Sequence, residues 1–441
     1  MVRPGVGQGD QRDVAVDAAR VAALAFVVCA HILLVTLMTD PVSGHVTNVM
    51  VPTQYPWFWW VTWMVQIMPL FFVVGGYASA VSWNRVTAKG GGGTGGAGET
   101  AWVAARVLKL AQPAALLWVF LAVVYLLARV AGAPPEYVDA ALPGIGMHLW
   151  FLGAYTLCVM AVPFTVAAHR SRPLLTLGLL VAAGAAVEVL RIALDEPWWG
   201  LLGLAPIWLA IHQLGYFRAD GAFARCPLWG LLLLAAASYA GLAVLTSFPA
   251  WSRDMLTNLN PPTLTLFLLG LGQACLLQVL TPALRAVMTL RPAQGSAWLI
   301  GARPVSLYLW HLPVIVCVTA VWWLLDGPQP AVPSAAWWWW RVPIAGICWL
   351  AVLLVVRLVG PVEATAVLPA GHTTPRSWSA VLLAAGLVVI PAVLEIRYLL
   401  TPWLVVGGAV SYVGAVVVLR APWRAVAISW RARWRGATDV G

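Results

Sequence analysis

Twelve stretches of about twenty apolar residues each leave this chain one kind of fold. They fall at 14–38, 57–83, 107–130, 146–168, 174–192, 199–217, 227–249, 263–284, 298–325, 337–358, 378–396 and 401–420. In a bilayer every backbone N–H and C=O must be satisfied within the chain, so segments of this length cross as helices. The composition agrees, with 61% hydrophobic and 10% charged residues over 441 positions and a mean hydropathy of +0.85. The predicted fold class is an all-α polytopic membrane protein. A short N-terminal segment (1–13) leads into a ten-span core (14–358). A loop (359–377), two additional spans (378–420) and a basic tail (421–441) follow. The longest polar stretches are 84–106 and 421–441, so the chemistry lies within the membrane or at its edge.

The net charge is +10. A basic balance also suits nucleic-acid binding, but its distribution here argues against that partner. With the N-terminus inside, only Arg129, Arg191, Arg253, Arg341 and Arg397 fall on the outer side, leaving 21 of the 26 Lys and Arg within. That bias predicts both termini in the cytoplasm. The Trp-Arg tail from Trp423 to Arg435 reads as an interfacial anchor on anionic lipid. The run Trp337–Trp340 reads as an aromatic belt, with sugar stacking as the alternative. Lys89 and the glycines after it lack the ending of a phosphate-binding loop and read as a linker. The six cysteines (Cys29, Cys158, Cys226, Cys275, Cys317 and Cys348) have no metal-ligand or disulfide-framework spacing. The N-terminus shows no cleavage pattern of a removed signal peptide. No inverted pair of broken helices, a transporter hallmark, stands out.

Ionisable groups inside such spans carry the functional information, because burying them in hydrocarbon is costly. His31 is the foremost. It shares the first span with Arg20, eleven residues earlier, or about 16 Å along a helix. Imidazole titrates near neutral pH, so His31 suits a general base; a neutral, hydrogen-bonded core histidine is the alternative. Cys29, two residues away, faces elsewhere on the helix. Asp17 and Arg20 share a helical face, as do Arg106 and Lys109 at the head of the third span. The second pair suits an anion such as phosphate. On the outer side His148, Trp150, Phe151 and Leu152 open the fourth span. The ninth span carries Ser306, Tyr308 and His311, and Pro313 frees a backbone carbonyl beside them. If His31 and the 306–311 patch serve one reaction, spans one and nine must face a common cavity opening toward Arg20, Arg106 and Lys109.

Taken together these segments resemble acyltransferase family 3. Asp17-x2-Arg20-x10-His31 is similar to the family's D-G-L-R … H opening. The segment from Met68 to Tyr77 resembles its F-F-x-x-S-G-Y motif, with Gly75 where serine is usual. Arg106-x2-Lys109-x3-Pro113 resembles R-x-x-R-x-x-x-P, with lysine in the second place. Trp150-Phe151-Leu152 and Ser306-x-Tyr308-x2-His311-x-Pro313 match two further patches. The resemblance covers about 12–358 and implies an integral membrane O-acyltransferase, an enzyme moving groups other than amino-acyl groups. It implies transfer of an acyl group, most simply acetyl, from cytoplasmic acyl-CoA to a hydroxyl of a glycan, lipid or small molecule. No tightly bound cofactor is expected. His31 would act as base and Asp17 would orient Arg20. Arg20, Arg106 and Lys109 would hold the donor phosphates. His148, Trp150, Ser306, Tyr308 and His311 would bind the acceptor or an oxyanion.

The rival reading is a transporter or flippase, in which Glu188 and Arg191 of the fifth span form a substrate or coupling site. A third is a scaffold with a degenerate acyltransferase core. The acceptor and the oligomeric state are not legible in the sequence.

Overall fold

The computed structural model describes residues 13–39, 46–89, 97–332, 334–368 and 377–421. Residues 90–96 of the glycine-rich run, most of the basic tail and residues 1–12 lie outside them. The structure is 81% helical with almost no strand, an all-α polytopic bundle. Twelve helical segments among the described residues are long and apolar enough to span a membrane: Val14–Leu34, Phe58–Ala88, Gly98–Val130, Ala141–Ser171, Pro173–Ala193, Pro197–Ala219, Leu228–Leu245, Leu264–Val287, Pro304–Leu324, Ala335–Ala364, Trp378–Tyr398 and Pro402–Arg420. We number them spans one to twelve. The end of the bundle where odd-numbered spans begin is called the basic end.

The second and fourth spans depart from the expected continuous helices. Span two breaks between helices Phe58–Val65 and Met68–Lys89. Pro69 has no N–H to give Val65 O, so the helix cannot run through. The Gln66 side chain then accepts from Met68 N–H at 3.3 Å, and Gln273 donates to Gln66 O at 2.8 Å. Span four breaks between helices Pro135–Gly146 and Trp150–Ser171, leaving His148 at the turn. Non-helical backbone at membrane depth is tolerated where it lines a cavity. Both breaks do line one, described below. Span nine also starts later than expected. Arg291–Gly301 is a separate helix with no buried residue, and span nine proper begins at Pro304.

Close helix contacts depend on small residues, because lipid tails supply no hydrophobic drive between helices. Spans two and six meet backbone to backbone: a Cβ on Gly76 would stand 1.8 Å from His212 O, and one on Gly215 would stand 2.2 Å from Val73 O. The last two spans are packed into the bundle rather than appended to it. Tyr412 stacks on Trp118 of span three at 5.5 Å. Ala392 of span eleven sits against Gly153 of span four. One apolar cluster runs without interruption from Leu24 to Leu419.

The tryptophan run divides by helical phase. Trp337 is buried, Trp338 faces a cavity, and Trp339 and Trp340 are exposed. Trp337 lies under the guanidinium of Arg341, 4.5 Å from its ring centre. Arg341 in turn donates to Val35 O at 3.1 Å and to the Thr36 hydroxyl at 2.5 Å. A buried cation thus serves a carbonyl and a hydroxyl at the end of span one.

Candidate active site

Histidines from spans one, four and nine converge. His31 Nδ1 lies 3.1 Å from His311 Nε2 and 2.9 Å from Val27 O. His311 Nδ1 lies 2.5 Å from Tyr308 O. A carbonyl oxygen only accepts, so His311 carries its proton on Nδ1 and its Nε2 is an acceptor. His31 must then carry its proton on Nδ1, shared between Val27 O and His311. That leaves the His31 Nε2 lone pair without a partner among the described residues, and His31 lines a cavity. Backbone carbonyls therefore set the tautomer of both rings, Val27 O of span one for His31 and Tyr308 O of span nine for His311.

Pro313 explains why the third histidine is here. Its missing N–H leaves Leu309 O without a helical partner. His148 Nε2 fills that vacancy at 3.1 Å. The Tyr308 hydroxyl closes the loop, donating to His148 O at 2.5 Å. The His148 and His311 ring centres stand 5.2 Å apart.

Two cavities flank this cluster. The outer one, about 470 Å³, is lined by His31, His148, Trp150, Tyr308 and the breaks of spans two and four, with apolar walls from Phe26, Met50 and Phe58. The second, about 480 Å³, lies toward the basic end and is lined by Arg20, Arg106, Lys109 and Arg303. Tyr308 lies on the wall of both. On span one, Arg20 and Leu24 face the basic cavity and Val27 and His31 the outer one. The expected single cavity is therefore two chambers with a shared tyrosine. The cause is aromatic filling around Tyr308. Phe151 packs on it at 4.9 Å, and Tyr155 stacks on Phe151 at 5.3 Å.

The cations are held in place. Arg20 pairs with Asp17 at 3.2 Å. Arg106 donates to the Ser82 hydroxyl at 2.6 Å and lies over the Trp102 ring at 4.9 Å. Gly75, where the family's serine is usual, has no room for one. A Cβ there would stand 2.6 Å from the Tyr155 ring and 2.9 Å from its hydroxyl. Tyr155 occupies that volume from span four and brings a hydroxyl with it.

Two residues expected in the site lie elsewhere. Ser306 lines neither cavity, and its hydroxyl is buried with no partner among the described residues. Its N–H is capped by Glu363 at 2.8 Å. Glu188 is not brought to the histidines. It accepts from Trp251 Nε1 at 2.6 Å and from Leu264 N–H, tying span five to the start of span eight. Its neighbour Arg191 donates to Ala250 O at 3.0 Å. The pair that the transporter reading leaned on is thus engaged in joining loops.

Sequence reasoning missed Arg303, Glu363 and Glu395. Arg303 had a signal, a cation at the basic end just ahead of the Ser306–His311 patch. Glu363 and Glu395 had none, because their roles arise from packing. Glu395 is buried in span eleven and faces the backbone of Trp150, the first residue of its helix. Register explains the meeting. With Ala392 against Gly153 in antiparallel helices, three residues further on one chain meet three residues earlier on the other.

The acyltransferase-domain family matches residues 13–362. The chain belongs to acyltransferase family 3. The match covers spans one to ten and all three histidines, so the two cavities are those of a membrane acyltransferase. Glu395 and the hairpin carrying it lie beyond the matched part of this acyltransferase. No curated protein and no solved structure matches the chain.

Proposed function

We propose that this acyltransferase moves an acyl group, most simply acetyl, from acyl-CoA in the basic cavity to a hydroxyl in the outer cavity. The observation that carries the reading is the His31–His311 contact, which orients a free imidazole nitrogen at the edge of one chamber while Arg20 of the same helix lines the other. The positive-inside bias supports a cytoplasmic basic end, and with it cytoplasmic termini in a cell membrane. Arg20, Arg106, Lys109 and Arg303 suit the phosphates of CoA. The depth from Arg20 to His31, about 16 Å by helical rise, suits an extended pantetheine arm.

In this mechanism His31 Nε2 takes the proton of the acceptor hydroxyl as its oxygen attacks the thioester carbonyl. The C–O bond forms, the C–S bond breaks, and the proton passes from His31 to the departing thiolate. The products are an ester and free CoA. His311 is a positioning residue that holds the His31 tautomer and shares the charge of the imidazolium. Asp17 orients Arg20. Tyr308 stands where the thioester must pass between chambers.

The test is thiol release from labelled acyl-CoA by the purified protein in lipid nanodiscs, compared with His31→Ala. Mass spectrometry of envelope glycans, lipids and secreted metabolites with and without the gene then seeks the matching acyl increment. His31-dependent thiol release supports the reading. Equal release by the variant refutes the assignment of the base.

A further inference from the structure

Most of the hydroxyl and amide groups of the outer cavity are already spent on the protein itself. The Thr62 hydroxyl donates to Trp59 O at 2.7 Å and accepts from Met255 N–H at 3.0 Å. The Tyr308 hydroxyl is committed to His148 O and His148 Nε2 to Leu309 O. Asn260, with its amide turned to suit its neighbours, donates to Leu259 O at 2.9 Å and accepts from Trp150 Nε1 at 3.3 Å. The Gln66 carbonyl accepts from Met68 N–H. Among the described residues that line it, His31 Nε2, the Gln66 amide nitrogen, His148 Nδ1, the Trp57 indole N–H and the Cys29 thiol are what remain without a hydrogen bond. No Asp, Glu, Lys or Arg among the described residues lines the chamber.

A saccharide presents many hydroxyls, and a site that recognises one needs converging donors and acceptors. Each hydroxyl buried without a partner costs about 1–3 kcal/mol. Several such penalties would exclude a sugar ring from this chamber. An apolar body incurs none and gains from contact with Phe26, Met50, Phe58 and Met147. The volume, about 470 Å³, is in the range of small-molecule sites. Trp57 and Trp338 stand on the same chamber, and Trp57 is exposed. Indole at that place suits an entrance from the membrane interface.

We infer that the acceptor is a neutral, largely apolar molecule that presents one reactive hydroxyl to His31, entering from the membrane side of the outer chamber. This rests on the acyl-transfer reading above and narrows it to a substrate class. The chemistry is shared by a membrane lipid alcohol and by a free apolar alcohol of terpenoid or polyketide type. Polar glycans are excluded as the group seated beside His31.

The experiment uses the full chain in nanodiscs with labelled acetyl-CoA and three acceptors: a diacylglycerol, a monocyclic terpene alcohol and a disaccharide. At least one apolar alcohol is expected to be acylated tenfold or more faster than the disaccharide. Diacylglycerol alone reacting identifies a lipid source; terpene alcohol reacting identifies a free one. Val61→Asn, on the chamber wall, is expected to raise the KM for the alcohol about tenfold and leave that for acetyl-CoA unchanged. A fatty alcohol bearing a photoreactive diazirine reads binding without turnover. It should label peptides carrying Met50 or Met147, in competition with apolar alcohol and not with disaccharide. Acylation of the disaccharide at a rate equal to the alcohols overturns the substrate class and leaves the acyl-transfer reading standing. Specific photolabelling with no transfer to any acceptor keeps the apolar site and overturns acyl transfer. Neither labelling nor transfer overturns both.

Discussion

The two chambers on either side of Tyr308 are nearly equal in size, about 470 and 480 Å³, and opposite in chemistry. Three arginines, a lysine and Glu363 face the basic chamber, whereas among the described residues no charged side chain lines the outer one. Charge at a membrane edge recognises an anion through long-range attraction and donor geometry. An apolar chamber recognises shape and rewards the exclusion of water. On the proposed reading, one protein selects two unlike substrates by different physics and brings them together at one imidazole. The difference also separates what a mutation should do, since a charge change on one side need not be felt on the other.

The largest expected effect is at the meeting point. His31→Ala should lower transfer by about a hundredfold or more, in the range lost with a general base, with expression and membrane insertion intact. Steady-state rates in nanodiscs measure it, and a normally active variant would remove the base from the scheme.

The next effect concerns the wall of the outer chamber. Glu395→Ala removes a buried acceptor facing the first turn of the helix that opens at Trp150 and should cost about 2 kcal/mol of stability. Thermal unfolding in nanodiscs should show a clear drop, and Glu395→Gln, which keeps an acceptor, a smaller one. An unshifted midpoint for both variants would mean that the hairpin does not brace the site.

The comparison sharpens further with Arg106→Ala and Lys109→Ala. Contacts made equally in ground and transition states appear in KM. Each variant should raise the KM for acyl-CoA about tenfold, or ~1.4 kcal/mol, with kcat and the acceptor KM unchanged. Lys109→Arg should keep or tighten donor use, because the planar fork matches phosphate oxygens. A rise in the acceptor KM instead would show that the chambers are not independent.

The smallest effect is expected at the shared wall. Tyr308→Phe removes one hydrogen bond to His148 O, about 1 kcal/mol, and should lower kcat/KM for both substrates about fivefold. An effect on one substrate alone would assign Tyr308 to that chamber.

Much of this was legible in the residues. Hydropathy alone placed twelve spans, because hydrocarbon thickness dictates helix length. His31, Arg20, Arg106, Lys109 and His311 were picked out because ionisable groups at membrane depth are costly enough to need a reason. Pro313 even marked the freed carbonyl that His148 takes up. Ser306 and Glu188 were misplaced for one cause: each looked like a polar group in an apolar helix, and sequence does not say whether such a group faces a cavity or a neighbouring backbone.

The sequence by itself determined that this chain crosses a membrane many times and where its costly groups sit along each helix. Local period and side-chain solvation suffice for that. Only the tertiary structure decided that the helices of spans two and four break around one chamber and that Tyr308 divides it from a second. It also decided that Tyr155 fills the place of an absent serine, and that Glu395 reaches Trp150 from a hairpin outside the family match. Those outcomes depend on the register of helices far apart in the chain, which is chosen by close packing at small residues such as Gly153 and not by any local preference.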